Sequence, residues 1–118
     1  SFVTGDPSSR LPNTANIAFE FIEVEAILQQ MNREGIAASS GSACTSGSLE
    51  PSHVLRAMNV PYTAAHGAIR FSFSRENSDA DVDRVIEAMP PIIERLREMS
   101  PFWRERDVRT SEFKPTYA

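Results

Sequence analysis

The chain predicts an α+β domain in which a small three- to four-stranded sheet carries helices packed on one face. Three observations carry that expectation. Two segments alternate apolar and polar residues at strand period, at Asn16-Ile17-Ala18-Phe19-Glu20-Phe21 and at Ala68-Ile69-Arg70-Phe71-Ser72-Phe73-Ser74. Two others repeat apolar residues at helical spacing, Val24/Ile27/Leu28/Met31 and Val82 through Met99. The order of the pieces is strand, helix, short strand, loop, helix, strand, helix, which builds one mixed layer over one sheet.

Taken in order, Ser1 to Pro12 reads as a loop, because Gly5-Asp6-Pro7 and Ser8-Ser9 are turn formers. The first strand then turns Ile17, Phe19 and Phe21 to one side and Asn16, Ala18 and Glu20 to the other. The helix after it has Glu23 and Glu25 at its positive end and Gly35 as the residue that ends it. Ile36-Ala37-Ala38 is short and apolar, and is expected to pair as a second strand. A helix is predicted to start at Glu50-Pro51, since proline suits the first helical position, with Val54, Leu55 and Met58 as its stripe. The alternation at 68–74 puts Ile69, Phe71 and Phe73 toward the core and Arg70, Ser72 and Ser74 away from it. Ser78 and Asp81 form a capping box for the longest helix, whose stripe runs Val82, Val85, Ile86, Met89, Ile92, Ile93, Leu96, Met99. Pro90-Pro91 is expected to kink or split that helix. The domain is assigned to residues 1–103, with 104–118 as a mobile polar tail without periodicity.

Composition narrows the function. With 118 residues, 41% hydrophobic and 24% charged, the chain is one globular domain able to close a modest core. Its net charge of -4 and the lack of a basic stripe argue against nucleic acid and anionic membranes as partners. No apolar run approaches the roughly 18 residues of a membrane span. A single cysteine forms no internal disulfide, and a reducing, cytoplasmic setting is expected. The start at Ser1 without a methionine leads us to expect a piece of a longer protein.

That one cysteine, Cys44, sits in Ser39-Ser40-Gly41-Ser42-Ala43-Cys44-Thr45-Ser46-Gly47-Ser48, within a loop assigned to residues 39–51. A core cysteine has apolar neighbours at strand or helix spacing, whereas Cys44 has hydroxyl residues and two bracketing glycines. The pattern suits a thiol that reacts rather than packs. Activating it requires a cation, a helix N-terminus or an imidazole; His53 and His66 are the candidate bases, and neither spacing makes a metal site. Arg70, on the polar side of its strand, is a candidate two-pronged clamp for a carboxylate, with a plain surface charge as the alternative. The Ser/Gly loop lacks the pattern of a phosphate cradle.

Three stretches read together, Ser39 to Met58 (S-S-G-S-A-C-T-S-G-S-L-E-P-S-H-V-L-R-A-M), Ala68 to Arg75 (A-I-R-F-S-F-S-R) and Arg10 to Ile17 (R-L-P-N-T-A-N-I), resemble pyridoxal-phosphate cysteine desulfurases of the nitrogen-fixation, NifS-like type. The resemblance implies the small C-terminal domain of a fold-type I enzyme. It implies that Cys44 attacks the sulfur of the cysteine-cofactor adduct, giving L-alanine and a persulfide that passes to an iron-sulfur scaffold protein. It further implies that Arg70 holds the carboxylate of L-cysteine, that the complete enzyme is a homodimer, and that its pyridoxal 5'-phosphate is held by a lysine in another domain. The only lysine here is Lys114, beside Pro115 in the polar tail, so no cofactor-binding residue is expected in this chain, nor activity from it alone. Two alternatives stand beside this reading: a stand-alone sulfur-carrier or scaffold-binding module, and a thiol hydrolase using Cys44 with His53 or His66.

Overall fold

A computed structural model of the chain describes residues 1–40 and 52–106. Its order is β1 (Phe2–Val3), β2 (Thr14–Ala18), α1 (Val24–Arg33), α2 (His53–Ala57), α3 (Tyr62–Ala65), β3 (Ala68–Ser72), α4 (Asp79–Met99) and α5 (Pro101–Arg104). The three strands form one antiparallel sheet in the order β1-β2-β3. The α+β expectation holds, with helices on part of the second face of the sheet as well as on the first, where one face was expected. The first segment differs from it, because Phe2 and Val3 pair with Ala18 and Ile17 where a loop was expected.

The sheet has two covered regions, and strand parity assigns them. Ile17 lies opposite Ile69, and both join the main core with Ile27 and Met31 of α1 and Met89, Ile92, Ile93 and Leu96 of α4. On the reverse face Ala18 lies opposite Ala68, and these small side chains seat Leu55 of α2, Val60, and Ala64 and Ala65 of α3. The large apolar side chains of α1 and α4 pack on one face, while the short helices cover one end of the other. Small residues are needed at that end because the α2–α3 pair approaches the sheet closely.

Several boundaries move for identifiable reasons. The first strand starts at Thr14 and ends at Ala18 rather than running over 16–21; Phe19 still donates to the Gly67 carbonyl, but Phe21 adopts φ 66° and turns the chain away. The run 36–38 does not become a strand of its own: a single bridge, Ser39 to Arg70, attaches it to the sheet edge, while Ile36 and Ala38 pack against the core. Helix α2 starts at His53, with Ser52 non-helical and its hydroxyl capping the helix by accepting from the Val54 amide; Glu50 and Pro51, where the start was expected, lie outside the described residues. Of the stripe expected there only Leu55 is buried, with Val54 and Met58 exposed. Phe73 is likewise exposed, as are Ile86 and Met99 of the long stripe.

Helix α4 runs unbroken through Pro90 and Pro91. Both prolines face solvent, as do Ile86 and Glu87, whose carbonyls lose their intrahelical donors. Exposed to solvent, those carbonyls can bond water in place of an amide, which lowers the cost of keeping both prolines in the helix. The expected capping box is present, with the Ser78 amide donating to Asp81 Oδ2 at 2.8 Å and the Asp81 amide to the Ser78 hydroxyl at 3.4 Å. Gly35 ends α1 at φ 75° as expected. Helix α5 crosses the assigned boundary at 103, and residues 107–118 of the assigned tail lie outside the described residues.

Candidate functional site

The polar strip of the sheet lies between the α2–α3 end and the open rim. Along this face Ala18 and Ala68 are covered, Asn16 and Arg70 come next, and Thr14 and Ser72 follow. Arg70 is therefore the first side chain of β3 to emerge from beneath the short helices, and it is exposed. Its backbone amide donates to the Ser39 carbonyl at 2.7 Å and its carbonyl accepts from the Ser39 amide at 3.3 Å. The segment that leads into the serine-rich stretch is thus tied directly to Arg70. The same stretch ends at Ser52, the cap of α2, and α2 lies over the same face through Leu55. Both attachments of the 41–51 segment flank the face from which the Arg70 guanidinium projects.

Cys44 itself lies outside the described residues. Of the two candidate bases, His53 is the first residue of α2 and exposed. His66 serves a different junction: its carbonyl accepts from the Val24 amide at 2.8 Å, its ring meets Tyr62 edge-on at 4.3 Å, and its Nδ1 lies 4.0 Å from a Glu23 oxygen. Its Nε2 is buried without a hydrogen-bond partner among the described residues. That geometry joins α3 to the start of α1. Among the described residues no cluster of His, Cys, Asp or Glu could hold a metal ion.

Two features escaped the sequence. Asn16 stands directly opposite Arg70, and its side chain is tied to Thr4, whose hydroxyl donates to Asn16 Oδ1 at 2.9 Å. Parity alone puts Asn16 on the polar side, but only the register places it beside Arg70. Trp103 lies between two guanidinium groups, Arg97 at 4.3 Å and Arg106 at 4.2 Å from its ring centre, with Phe21 edge-on at 6.0 Å. Burial holds the Arg97 guanidinium below its usual pKa, Glu20 opposes that shift and Arg106 adds to it. A concavity of about 610 Å³ lies on this side between Phe19, Met89, Ile93, Arg97 and Trp103. It shares no residue with the Arg70 strip.

The chain thus presents a three-stranded antiparallel sheet clothed by helices, with Arg70 bridged to Ser39 at the edge of the segment that carries Cys44. The class-V aminotransferase family model matches residues 1–85, and the chain belongs to that family. Within it the relatives are more particular. The chain is 76% identical over its full length to a cysteine desulfurase of Gluconacetobacter diazotrophicus, of which it spans 30%. It is 69% identical over 87% of its length to the cysteine desulfurase NifS of Azotobacter vinelandii, of which it spans 26%. The X-ray structure of a NifS-like protein from Rickettsia africae superposes with a TM-score of 0.66 at 31% identity, over 79% of this chain and 23% of that one. The chain thus spans less than a third of the length of these relatives.

Proposed function

We propose that this chain is the sulfur-handling part of a cysteine desulfurase, an enzyme that removes sulfur from L-cysteine to leave L-alanine and a persulfide on Cys44. One observation supports the reading above the others: both attachments of the segment bearing Cys44 border the strip from which Arg70 projects. Covalent geometry sets the scale, because Cys44 lies five positions beyond Ser39 in the sequence, a reach of at most about 18 Å. A thiol on such a tether can reach a substrate held at Arg70 and then turn toward an acceptor.

The division of labour follows from the side chains. The Arg70 guanidinium presents a planar fork of donors to the substrate carboxylate, which fixes the amino acid at one end. The Cys44 thiolate attacks the substrate sulfur; a sulfur–sulfur bond forms as the carbon–sulfur bond breaks, and the pair of electrons from that bond stays on carbon. The three-carbon fragment takes up a proton and leaves as alanine. Pyridoxal phosphate, the cofactor implied by the family, supplies the electron-accepting chemistry when bound. This chain does not fit the role of its holder: the described residues include no lysine, and the single Lys114 stands beside Pro115 in a polar stretch unsuited to a desolvated amine. The cofactor site therefore belongs to the remainder of the enzyme. The sulfur passes onward to an iron-sulfur scaffold protein, and the complete enzyme works as a homodimer in the cytoplasm; the NifS name of a relative supports a link to nitrogen fixation.

Mass spectrometry of the complete enzyme after brief exposure to L-cysteine tests this. The peptide containing Cys44 is expected to gain one sulfur, about 32 daltons, reversed by thiol reductant. Cys44→Ser is expected to lose the adduct and alanine formation together. Undiminished alanine formation in that variant would overturn the reading, and an adduct on this chain alone, without the rest of the enzyme, would favour a self-sufficient sulfur carrier.

A further inference from the structure

We infer that Asn16 is a second anchor for the substrate carboxylate, acting beside Arg70; this rests on the desulfurase reading above and names a residue that reading does not use. Hydrogen bonds run from Phe73 to Asn13 and from Phe19 to Gly67, and Asn16 and Arg70 fall between such positions in the same register. They form a non-hydrogen-bonded pair, the type that brings opposed side chains closest, with Cβ atoms about 5 Å apart. Their own backbone groups turn outward instead, Arg70 to Ser39 and Asn16 to Thr4.

What matters next is which end of the Asn16 amide remains. Thr4 holds Asn16 from two sides: its amide donates to the Asn16 carbonyl at 2.9 Å, and its hydroxyl donates to Oδ1 at 2.9 Å. Thr4 thus takes one lone pair of Oδ1 and fixes the orientation of the amide, so that Nδ2 keeps two N–H donors to offer elsewhere. The neighbour across the ladder is a guanidinium, which has only donors. Two donor groups side by side cannot satisfy each other, and they converge on whatever acceptor comes between them. A carboxylate fits this arrangement, since its two oxygens offer about four lone-pair positions, of which a guanidinium fork uses two. Thr4 thereby orients the amide, and Asn16 takes one of the remaining positions.

Steady-state kinetics on the complete, cofactor-loaded enzyme tests the assignment, with L-cysteine as substrate and L-alanine as a competing carboxylate that has no thiol. Asn16→Ala is expected to raise KM for L-cysteine and Ki for L-alanine together, by about tenfold, with kcat within a factor of two, because a hydrogen bond to a charged group is lost in binding and not in sulfur transfer. If the alanine variant does not fold, Asn16→Ser, which retains a polar group for Thr4 but falls short of the clamp, is expected to show the same paired rise. Arg70→Ala separates the levels. A rise in both constants there with none at Asn16 overturns this inference and leaves the clamp standing; unchanged constants at Arg70 overturn the clamp and this inference with it. A fall in kcat at Asn16 with KM and Ki unchanged assigns Asn16 a bracing role and also overturns it.

Discussion

Gly67 shows how tightly one backbone position can constrain this fold. A Cβ built there would lie 2.0 Å from the Phe19 carbonyl oxygen and 2.7 Å from that of Ile22, both backbone atoms that cannot swing aside. The closeness is functional in the structural sense: the Gly67 carbonyl accepts from the Phe19 amide at 3.0 Å, extending the β2–β3 ladder that sets Asn16 opposite Arg70. Gly67→Ala must push these segments apart, and we expect a loss of about 3 kcal/mol in urea unfolding, at the upper end of what overpacking costs. A loss under about 1 kcal/mol would show that the turn at 19–22 yields more readily than its contacts imply. At this scale the sequence was partly legible. Alternation over 68–74 places Arg70 away from the core without any structure, and parity does the same for Asn16. Their adjacency depends on register, which no local pattern states. The positive φ of Phe21 was illegible too, since it comes from three tertiary bonds: its amide to Thr63, its carbonyl from the Ser100 hydroxyl, and its ring on Trp103.

Among the elements, helix α4 makes the sharpest case. Its capping box was readable because Ser78 and Asp81 satisfy each other locally, three residues apart, whatever the rest of the chain does. The Pro90-Pro91 pair does not split the helix, because the cost of a helical proline depends in part on whether the orphaned carbonyls reach water, and that is set by the packing of α4 on α1. The two-residue β1 carries no periodicity at all, and exists because Thr4 and β2 offer it partners. The capping box also carries a pH signature. The Ser78 backbone amide, and after it the Asn77 side chain, hold the Asp81 carboxyl below the ordinary carboxylate value. A carboxyl with a lowered folded pKa contributes its stabilisation at neutral pH, above the unfolded value, and loses it as acid titrates the folded group. The stability advantage of the native chain over Asp81→Asn should therefore be constant above about pH 5 and shrink below about pH 4. An advantage that persisted unchanged into strong acid would mean that the carboxylate charge is not what the Ser78 amide recognises. Because the site is exposed, added salt should diminish the advantage as well.

For the molecule as a whole, the division of buried and exposed surface is the informative quantity. The main core is closed by α1 and α4, and the second cluster is closed by α2 and α3 over two alanines, yet substantial apolar side chains stay outside both. Val54, Met58 and Tyr62 are 52%, 44% and 43% exposed along the short helices, and Ile86 and Met99 are 62% and 64% exposed on α4. Scattered apolar residues are ordinary on a surface, but Val54 and Met58 lie on one helical face at i, i+4 and Tyr62 follows one turn beyond the α2 cap. These residues adjoin the attachment of the 41–51 segment, and the chain spans less than a third of its relatives' length. We therefore expect the purified chain to self-associate through the α2–α3 face, since exposed apolar side chains gathered in one region of a surface are the usual origin of such contacts. Sedimentation velocity should show a weight-average mass rising with concentration, and Val54→Glu with Met58→Glu should restore the monomer while leaving the far-ultraviolet spectrum unchanged. A clean monomer for the native chain at high concentration would rule out the patch as adhesive. Association that survives both substitutions would move the contact to α4, where Ile86 and Met99 are the next exposed apolar residues, three to four turns apart on the helix.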